Sequence, residues 1–188
     1  MGVRRGLRAV SPSPAERRAA MPGDELLPDA GIRMDRAFSL PARPEVVWPW
    51  LVQLGKRRAG WYLPRPAERL VPRERRAARR LDERWLGLTV GDVIPDYGGA
   101  DETFTVARIE PPSTLVYTSQ RGHVDVTWAM HVTPEGPAGS RVRLRLRLAG
   151  VRHPHLMGTA GDGFDLLTIA GMAAGLRERL EDSAGHRT

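Results

Sequence analysis

The clearest pattern along the chain is the alternation of apolar and polar residues in two consecutive runs. The even positions from Val124 to Val132 are apolar, and so are the even positions from Val142 to Leu148, where every intervening residue is arginine. A period of two predicts half-buried antiparallel strands, and the turn residues of 134–139 join them as a hairpin. At ~3.3 Å per residue the first strand spans about 33 Å, which is long enough to curl around another element.

A second apolar pattern, near the C-terminus, has helical spacing. It predicts a helix over 164–181, about 27 Å long, with Asp162 as its N-cap. The apolar stripe of this helix consists of Leu166, Ile169, Ala173, Leu176 and Leu180. We expect the long strands to curl around this helix.

Shorter patterns complete an α+β layer architecture. A helix is predicted from Pro44 to Gly55, with a kink at Pro49. A second helix, with a very basic face, is predicted over 74–85. Shorter strands are predicted over 33–40, 93–94, 103–109 and 114–119.

Several motifs, taken with this order of elements, resemble a known superfamily. The motifs are PGDEL at 22–26, VWPWLVQLG at 47–55, RAGWY at 58–62, GDVIP at 91–95, VTWA at 126–129 and the helix from Phe164. The chain resembles the START-like group, also called SRPBCC or polyketide-cyclase-like, and within it an actinobacterial-type branch with mostly uncharacterised members. In that branch Ser-Tyr-Asp commonly follows the Trp-Tyr pair. Here residues 63–65 are Leu-Pro-Arg, and Glu68 is the only acidic residue of that part of the pattern that is kept.

The resemblance implies a helix-grip fold, in which a curved antiparallel sheet wraps around the long C-terminal helix and encloses a cavity. The implied domain covers residues 23–182. Residues 1–22 show no apolar periodicity and are predicted to be a disordered basic extension, with Met21 as an alternative start. Residues 183–188 are predicted to be a disordered tail.

Ligand-binding candidates are apolar or aromatic residues, some with a hydroxyl group, a combination that small-molecule sites favour. Plain core packing is the alternative for each of them. The candidates are Trp61, Tyr62, Tyr97, Tyr117, Trp128, Met130, Met157 and Ile169.

Titratable residues near the expected cavity leave an enzymatic alternative open. Members of the superfamily bind lipids or polyketides, and some are cyclases or dehydratases, so the resemblance implies either a binding protein or such an enzyme. The catalytic candidates, each with a purely structural alternative, are Tyr62, Glu68, Asp96 and His153. No nucleophile motif decides between binding and catalysis. We expect no metal and no cofactor.

Charge and composition restrict the remaining function classes. The net charge of +7 divides into +4 on residues 1–22, +8 on residues 56–80 and −5 on the rest of the chain. The basic segment 56–80 suits phosphates or an anionic membrane, but it lacks the interleaved aromatics of a specific nucleic-acid site. The arginines of 141–147 are predicted to form a solvated strand face. The absence of cysteine excludes thiolate chemistry, and the absence of a signal or membrane segment predicts a cytoplasmic protein.

Overall fold

The computed structural model describes residues 10–151 and 154–185, with the backbone alone for 154–160. In this part of the chain, six antiparallel strands form one sheet in the order β1-β6-β5-β4-β3-β2. The strands are β1 (Ile32–Leu40), β2 (Val93–Pro95), β3 (Thr103–Glu110), β4 (Thr114–Arg121), β5 (Val124–Glu135) and β6 (Gly139–Ala149). The predicted long hairpin corresponds to β5 and β6, and each of the shorter predicted strands is present.

Four α-helices lie in the described residues: α1 (Pro14–Arg18), α2 (Pro44–Gln53), α3 (Arg65–Glu68) and α4 (Pro154–Gly185). Helices α2 and α4 pack on the inner face of the sheet. Their contact forms the main core, whose largest buried side chains include Trp50, Leu51, Phe38, Met172 and Leu176. The curved sheet holding a long C-terminal helix confirms the predicted α+β helix-grip architecture.

Helix α4 is longer than its apolar stripe predicted. It begins at Pro154, a residue that suits a first helical turn because its missing N–H has no partner to lose there. Asp162 is therefore inside the helix and does not cap it. The helix continues to Gly185, so the predicted disordered tail is wrong for 183–185, and residues 186–188 lie outside the described residues.

The predicted helix over 74–85 is also wrong. Only single 3-10 turns form there, at Arg73–Arg75 and Glu83–Trp85. Between them the backbone N–H of Ala78 donates to the carbonyl of Ala59 at 2.7 Å, which holds the chain against the preceding loop instead of in a helix.

Residues 10–28 form an N-terminal strap across the outer face of the sheet, where a disordered extension was predicted. The strap includes α1, and Met21 is buried against Val116 and Ala129. At its start, the N–H of Ala37 in β1 donates to the carbonyl of Val10 at 3.0 Å. Disorder is therefore contradicted for residues 10–22, and residues 1–9 lie outside the described residues.

The strap covers the arginine ladder of β6, which was predicted to be solvated. Arg145 is only 1% exposed and pairs with Asp24 of the strap and with Asp35 of β1, each at 2.6 Å. Arg141 pairs with Glu16 at 2.7 Å, and this contact lowers the pKa of Glu16 to about 2. The arginines therefore serve as the ionic binding surface for the strap.

Candidate functional site

A cavity of about 520 Å³ lies between the inner face of the sheet and the first half of α4. One row of side chains crosses the sheet at this level, because Met34, Leu146, Trp128 and Tyr117 are register partners on successive strands. The inward-facing residues Leu146 and Leu148 of β6 therefore also line the cavity. The lining residues include Ile32, Met34, Trp61, Phe104, Trp128, Leu146, Leu148, Val151, Phe164, Thr168 and Ile169.

Aromatic rings packed around Trp128 form one wall of the cavity. The ring of Trp128 lies 6.1 Å from Trp61, 5.9 Å from Tyr117 and 5.9 Å from Phe104, measured between centroids. The Nε1–H of Trp61 donates to the carbonyl of Thr168 at 3.3 Å and so fixes this ring to α4. The wall therefore offers flat apolar ring faces to the cavity.

Two exposed aromatic side chains border the cavity. Tyr97 is 52% exposed, and its ring meets Trp61 edge-on at 6.0 Å. Phe164 of α4 is 75% exposed and also lines the cavity. An apolar surface thus continues from the cavity to solvent.

Two ionic clusters adjoin the cavity and contribute Asp96, Arg121 and Asp165 to its lining. Arg121 pairs with Asp96, lies 3.7 Å from a carboxylate oxygen of Glu102, and places its guanidinium 5.2 Å from the ring centre of Phe104. In the second cluster, buried Arg36 contacts the carboxylates of Asp162 and Asp165.

In that second cluster the distances to Asp162 and Asp165 are 2.6 and 2.9 Å. Burial raises the pKa of Asp165, and the positive charge of Arg36 partly opposes that rise. The charged groups of the lining are therefore already paired with one another.

The structure brings four of the predicted ligand-binding residues to the cavity: Trp61, Tyr97, Trp128 and Ile169. Tyr62, Tyr117 and Met130 are instead buried in the core, with Tyr117 behind the rings of Trp128 and Phe104. The side chain of Met157 lies outside the described residues. Alternation correctly identified inward-facing residues but did not separate cavity wall from filled core.

Among the catalytic candidates, Asp96 lines the cavity and Tyr62 does not. The Tyr62 hydroxyl donates to the carbonyl of Trp50 at 2.8 Å and accepts from the side-chain amide of Gln53 at 3.0 Å. Burial raises the pKa of this hydroxyl well above its usual range. Tyr62 is therefore a structural residue that joins α2 to the following loop.

Glu68 is likewise placed away from the cavity. Its carboxylate pairs with fully buried Arg179 of α4 at 2.5 Å and with Arg79 at 3.2 Å. These bonds attach the basic segment to the C-terminal half of α4. His153 lies outside the described residues.

Several lining residues were not identified from the sequence. Leu146 and Leu148 follow from the alternation of β6, so a signal for them existed. Asp165 had no such signal, because its contact with Arg36 of β1 depends on how α4 packs against that strand.

The described residues hold neither a metal-binding cluster nor a membrane-spanning helix. None of their His, Asp and Glu side chains form a group of three or more that could hold a metal ion. In the same part of the chain, no helix has the length and hydropathy needed to span a membrane.

Comparison with known proteins supports the fold. No family model and no curated protein matches the chain. Among solved structures, protein NE0264 from Nitrosomonas europaea is 15% identical, with a TM-score of 0.54 over 84% of this chain and 99% of that one. Protein XoxI from Bacillus cereus is 11% identical, with a TM-score of 0.54 over 81% and 98%. Protein MLL2253 from Mesorhizobium loti is 18% identical, with a TM-score of 0.51 over 80% and 97%. At these identities the likeness shows a shared fold.

Proposed function

We propose that this chain binds a small hydrophobic or amphipathic ligand, lipid-like or polyketide-like, in the cavity between the sheet and α4. The observation that carries this proposal is the cavity itself, about 520 Å³ with an aromatic wall. Small-molecule sites are commonly concave, mostly apolar and ~300–1,000 Å³ in volume. A filled core would leave no such space, because protein interiors are close-packed.

The paired charges favour an apolar ligand over a strongly ionic one. Arg121 and Arg36 each contact two carboxylates, so neither guanidinium is free to neutralise a ligand anion. Binding energy then comes mainly from apolar surface removed from water, at about 25 cal/mol per Å². Tyr97 and Phe164 border the cavity at the solvent side, so the end of an amphipathic ligand that lies beyond them would be its more polar end.

We further propose that the chain is a cytoplasmic member of the START-like superfamily. The helix-grip architecture supports this family assignment alongside the motifs at 47–55 and 58–62. The fold itself hosts both binding proteins and enzymes, so the function rests on the cavity rather than on the family.

A cyclase or dehydratase activity in the same cavity is the second candidate. It is favoured by Asp165, because burial raises the pKa of this lining carboxyl group and a raised pKa suits proton transfer. Asp96 is the second carboxylate of the lining. The test is to incubate the purified chain with the ligand class that it retains. Turnover by the wild type that is lost in both Asp96→Asn and Asp165→Asn would support catalysis, whereas release of an unchanged ligand would support binding alone.

The binding proposal is tested by filling the cavity. Leu148 lines the cavity, and Leu148→Trp adds a large side chain there. Leu26→Trp places the same side chain on the solvent-exposed strap and serves as the matched control. We expect Nile red to bind the wild type and Leu26→Trp saturably, with enhanced emission, and to bind Leu148→Trp at least about tenfold more weakly because a buried ring excludes the probe.

Both variants must melt within a few degrees of the wild type for this comparison to count. Equal Nile red binding by Leu148→Trp and Leu26→Trp would contradict the proposal, since binding would then occur outside the cavity. Absence of saturable binding by the wild type would contradict it as well.

A further inference from the structure

Residues 69–76 form a compact loop, here called the arginine loop, that follows α3. The backbone N–H of Arg76 donates to the carbonyl of Arg73. The side chain of Arg76 bonds the carbonyls of Val71 at 2.9 Å and Arg69 at 3.5 Å, and so closes the loop on itself. The loop therefore has a defined shape.

The base of the arginine loop is attached to the body of the protein on both sides. Before the loop, Glu68 pairs with buried Arg179. After it, Arg179 donates to the carbonyl of Ala78 at 2.7 Å, and Arg79 pairs with Glu178 at 3.1 Å. The loop is thus held at a fixed position beside the C-terminal half of α4, whereas the cavity adjoins the N-terminal half.

An apolar side chain projects from this loop into water. Leu70 is 89% exposed, the largest exposed fraction among the large hydrophobic residues of the described chain. Because Leu70 is held by a hydrogen-bonded loop attached at both ends, its exposure is a fixed feature of the surface. Pro72, two residues later, is also exposed.

Exposed arginines without ion-pair partners in the described residues share the loop with this leucine. Arg69, Arg73 and Arg75 are exposed, and no carboxylate of the described residues lies within salt-bridge distance of them. Glu74 is the one acidic residue of the loop. The loop therefore combines an excess of positive charge with a protruding apolar residue.

We propose that the arginine loop docks this protein on an anionic membrane surface, with Leu70 inserted at the boundary between headgroups and acyl chains. Arg69, Arg73 and Arg75 would then lie at the level of the lipid phosphates, which guanidinium groups bind well. This function is independent of the cavity. A single-stranded nucleic acid is disfavoured as the partner because residues 63–84 contain no aromatic side chain on which a base could stack.

The test measures co-sedimentation of the full chain with vesicles of phosphatidylcholine, with and without phosphatidylglycerol. We expect binding to the mixed vesicles that weakens as salt is raised, and little binding to the neutral ones. Arg69→Gln with Arg73→Gln is expected to lower the partition coefficient about twenty-five-fold, because each arginine contributes about fivefold. Leu70→Ala is expected to lower it between about threefold and thirtyfold.

Matched controls separate a specific surface from general attraction. Arg18→Gln with Arg43→Gln removes the same charge from exposed positions outside the loop, and Leu26→Ala removes the same apolar atoms from the strap. Both controls are expected to bind vesicles within about twofold of the wild type. All four variants change exposed side chains, and circular dichroism verifies their folding.

Three results would overturn the proposal. One is the absence of binding to mixed vesicles at low salt. Another is an equal loss of binding in the Arg18/Arg43 control, which would mean that net charge alone is responsible. The third is tighter binding of a duplex DNA of arbitrary sequence than of vesicles, lost in the Arg69/Arg73 variant, which would identify a nucleic-acid surface instead.

Discussion

Replacing Arg145 tests how the N-terminal strap is held. Its Nε lies 2.6 Å from Asp35, its Nη1 lies 2.6 Å from Asp24, and its Nη2 donates to the carbonyls of Arg17 and Ala19 at 3.3 and 3.2 Å. Arg145→Met keeps much of the volume but leaves two carboxylates without their main partner. Removing one partner of a buried ion pair lowers the free energy of unfolding by ~3–5 kcal/mol. Because Asp24 is partly exposed and Asp35 still pairs with Arg33, we expect the free energy of unfolding to fall by about 3 kcal/mol.

Urea unfolding followed by tryptophan fluorescence measures this loss. For a chain of this size, 3 kcal/mol corresponds to a fall in Tm of about 6–12 °C. The control is Arg33→Met, because Arg33 also pairs with Asp35 but is 44% exposed, and we expect it to cost less than ~1 kcal/mol. Trypsin cleavage after Arg17 or Arg18 adds a local readout and is expected to accelerate in Arg145→Met. A loss below ~1 kcal/mol, or equal losses in the two variants, would refute the view that ionic contacts to β6 hold the strap.

Three further predictions concern the strap, α4 and α2. Because contact with Arg141 lowers the pKa of Glu16 from 4.5 to about 2, the contribution of Glu16 to stability is present above pH 4.5 and lost as the pH falls toward 2. Glu16→Gln should therefore be less stable than the wild type by about 1–2 kcal/mol near neutral pH and equally stable near pH 2; a constant difference in urea titrations across that range would argue against this pairing. Gly175→Ala should lower the free energy of unfolding by about 1–3 kcal/mol in thermal melts, because a Cβ there would lie 2.5 Å from the backbone of the facing loop. Gly163→Ala, which has open space around it, should raise the free energy of unfolding by about 0.5–1 kcal/mol. Equal effects of the two substitutions would disprove the close approach. Tyr62→Phe should lower the free energy of unfolding in urea by about 1–2 kcal/mol, because it leaves the Trp50 carbonyl and the Gln53 side-chain amide without this hydroxyl. An unchanged free energy of unfolding would mean that water replaces the hydroxyl.

The fold was largely predictable because its signal is local. The alternation around Trp128 and the helical stripe containing Ile169 each lie within one element, and each reports which side faces the core. The helix at Pro44 was likewise correctly predicted from its own residues.

The strap was not predictable in this way. Its anchors include buried residues such as Met21 and ionic contacts such as Glu16 with Arg141, 125 positions apart in the chain. A run of arginines on β6 has the same sequence pattern whether water or a strap covers it. Asp24 and Arg145 carry opposite charges, but the sequence does not show that they pair, because only the folded topology brings them together.

The candidate site was partly predictable for a related reason. Inward-facing positions such as Trp128 are visible in the sequence, but the boundary between cavity and filled core depends on how the elements cross. Met130, two residues from Trp128 on the same strand, is fully buried in the core and is not part of the cavity lining. Tyr62 directly follows Trp61, which does line the cavity, yet its side chain is enclosed between Trp50 and Arg179. Such distinctions require tertiary structure.

Native mass spectrometry of the chain purified from its own host is the decisive test of ligand binding in the cavity. We expect a species heavier than the bare chain by the mass of one small apolar molecule, present in the wild type and in Leu26→Trp and absent from Leu148→Trp. Bare protein mass in all preparations, together with no change in tryptophan emission across a panel of hydrophobic ligands, would contradict the claim that the cavity is a binding site.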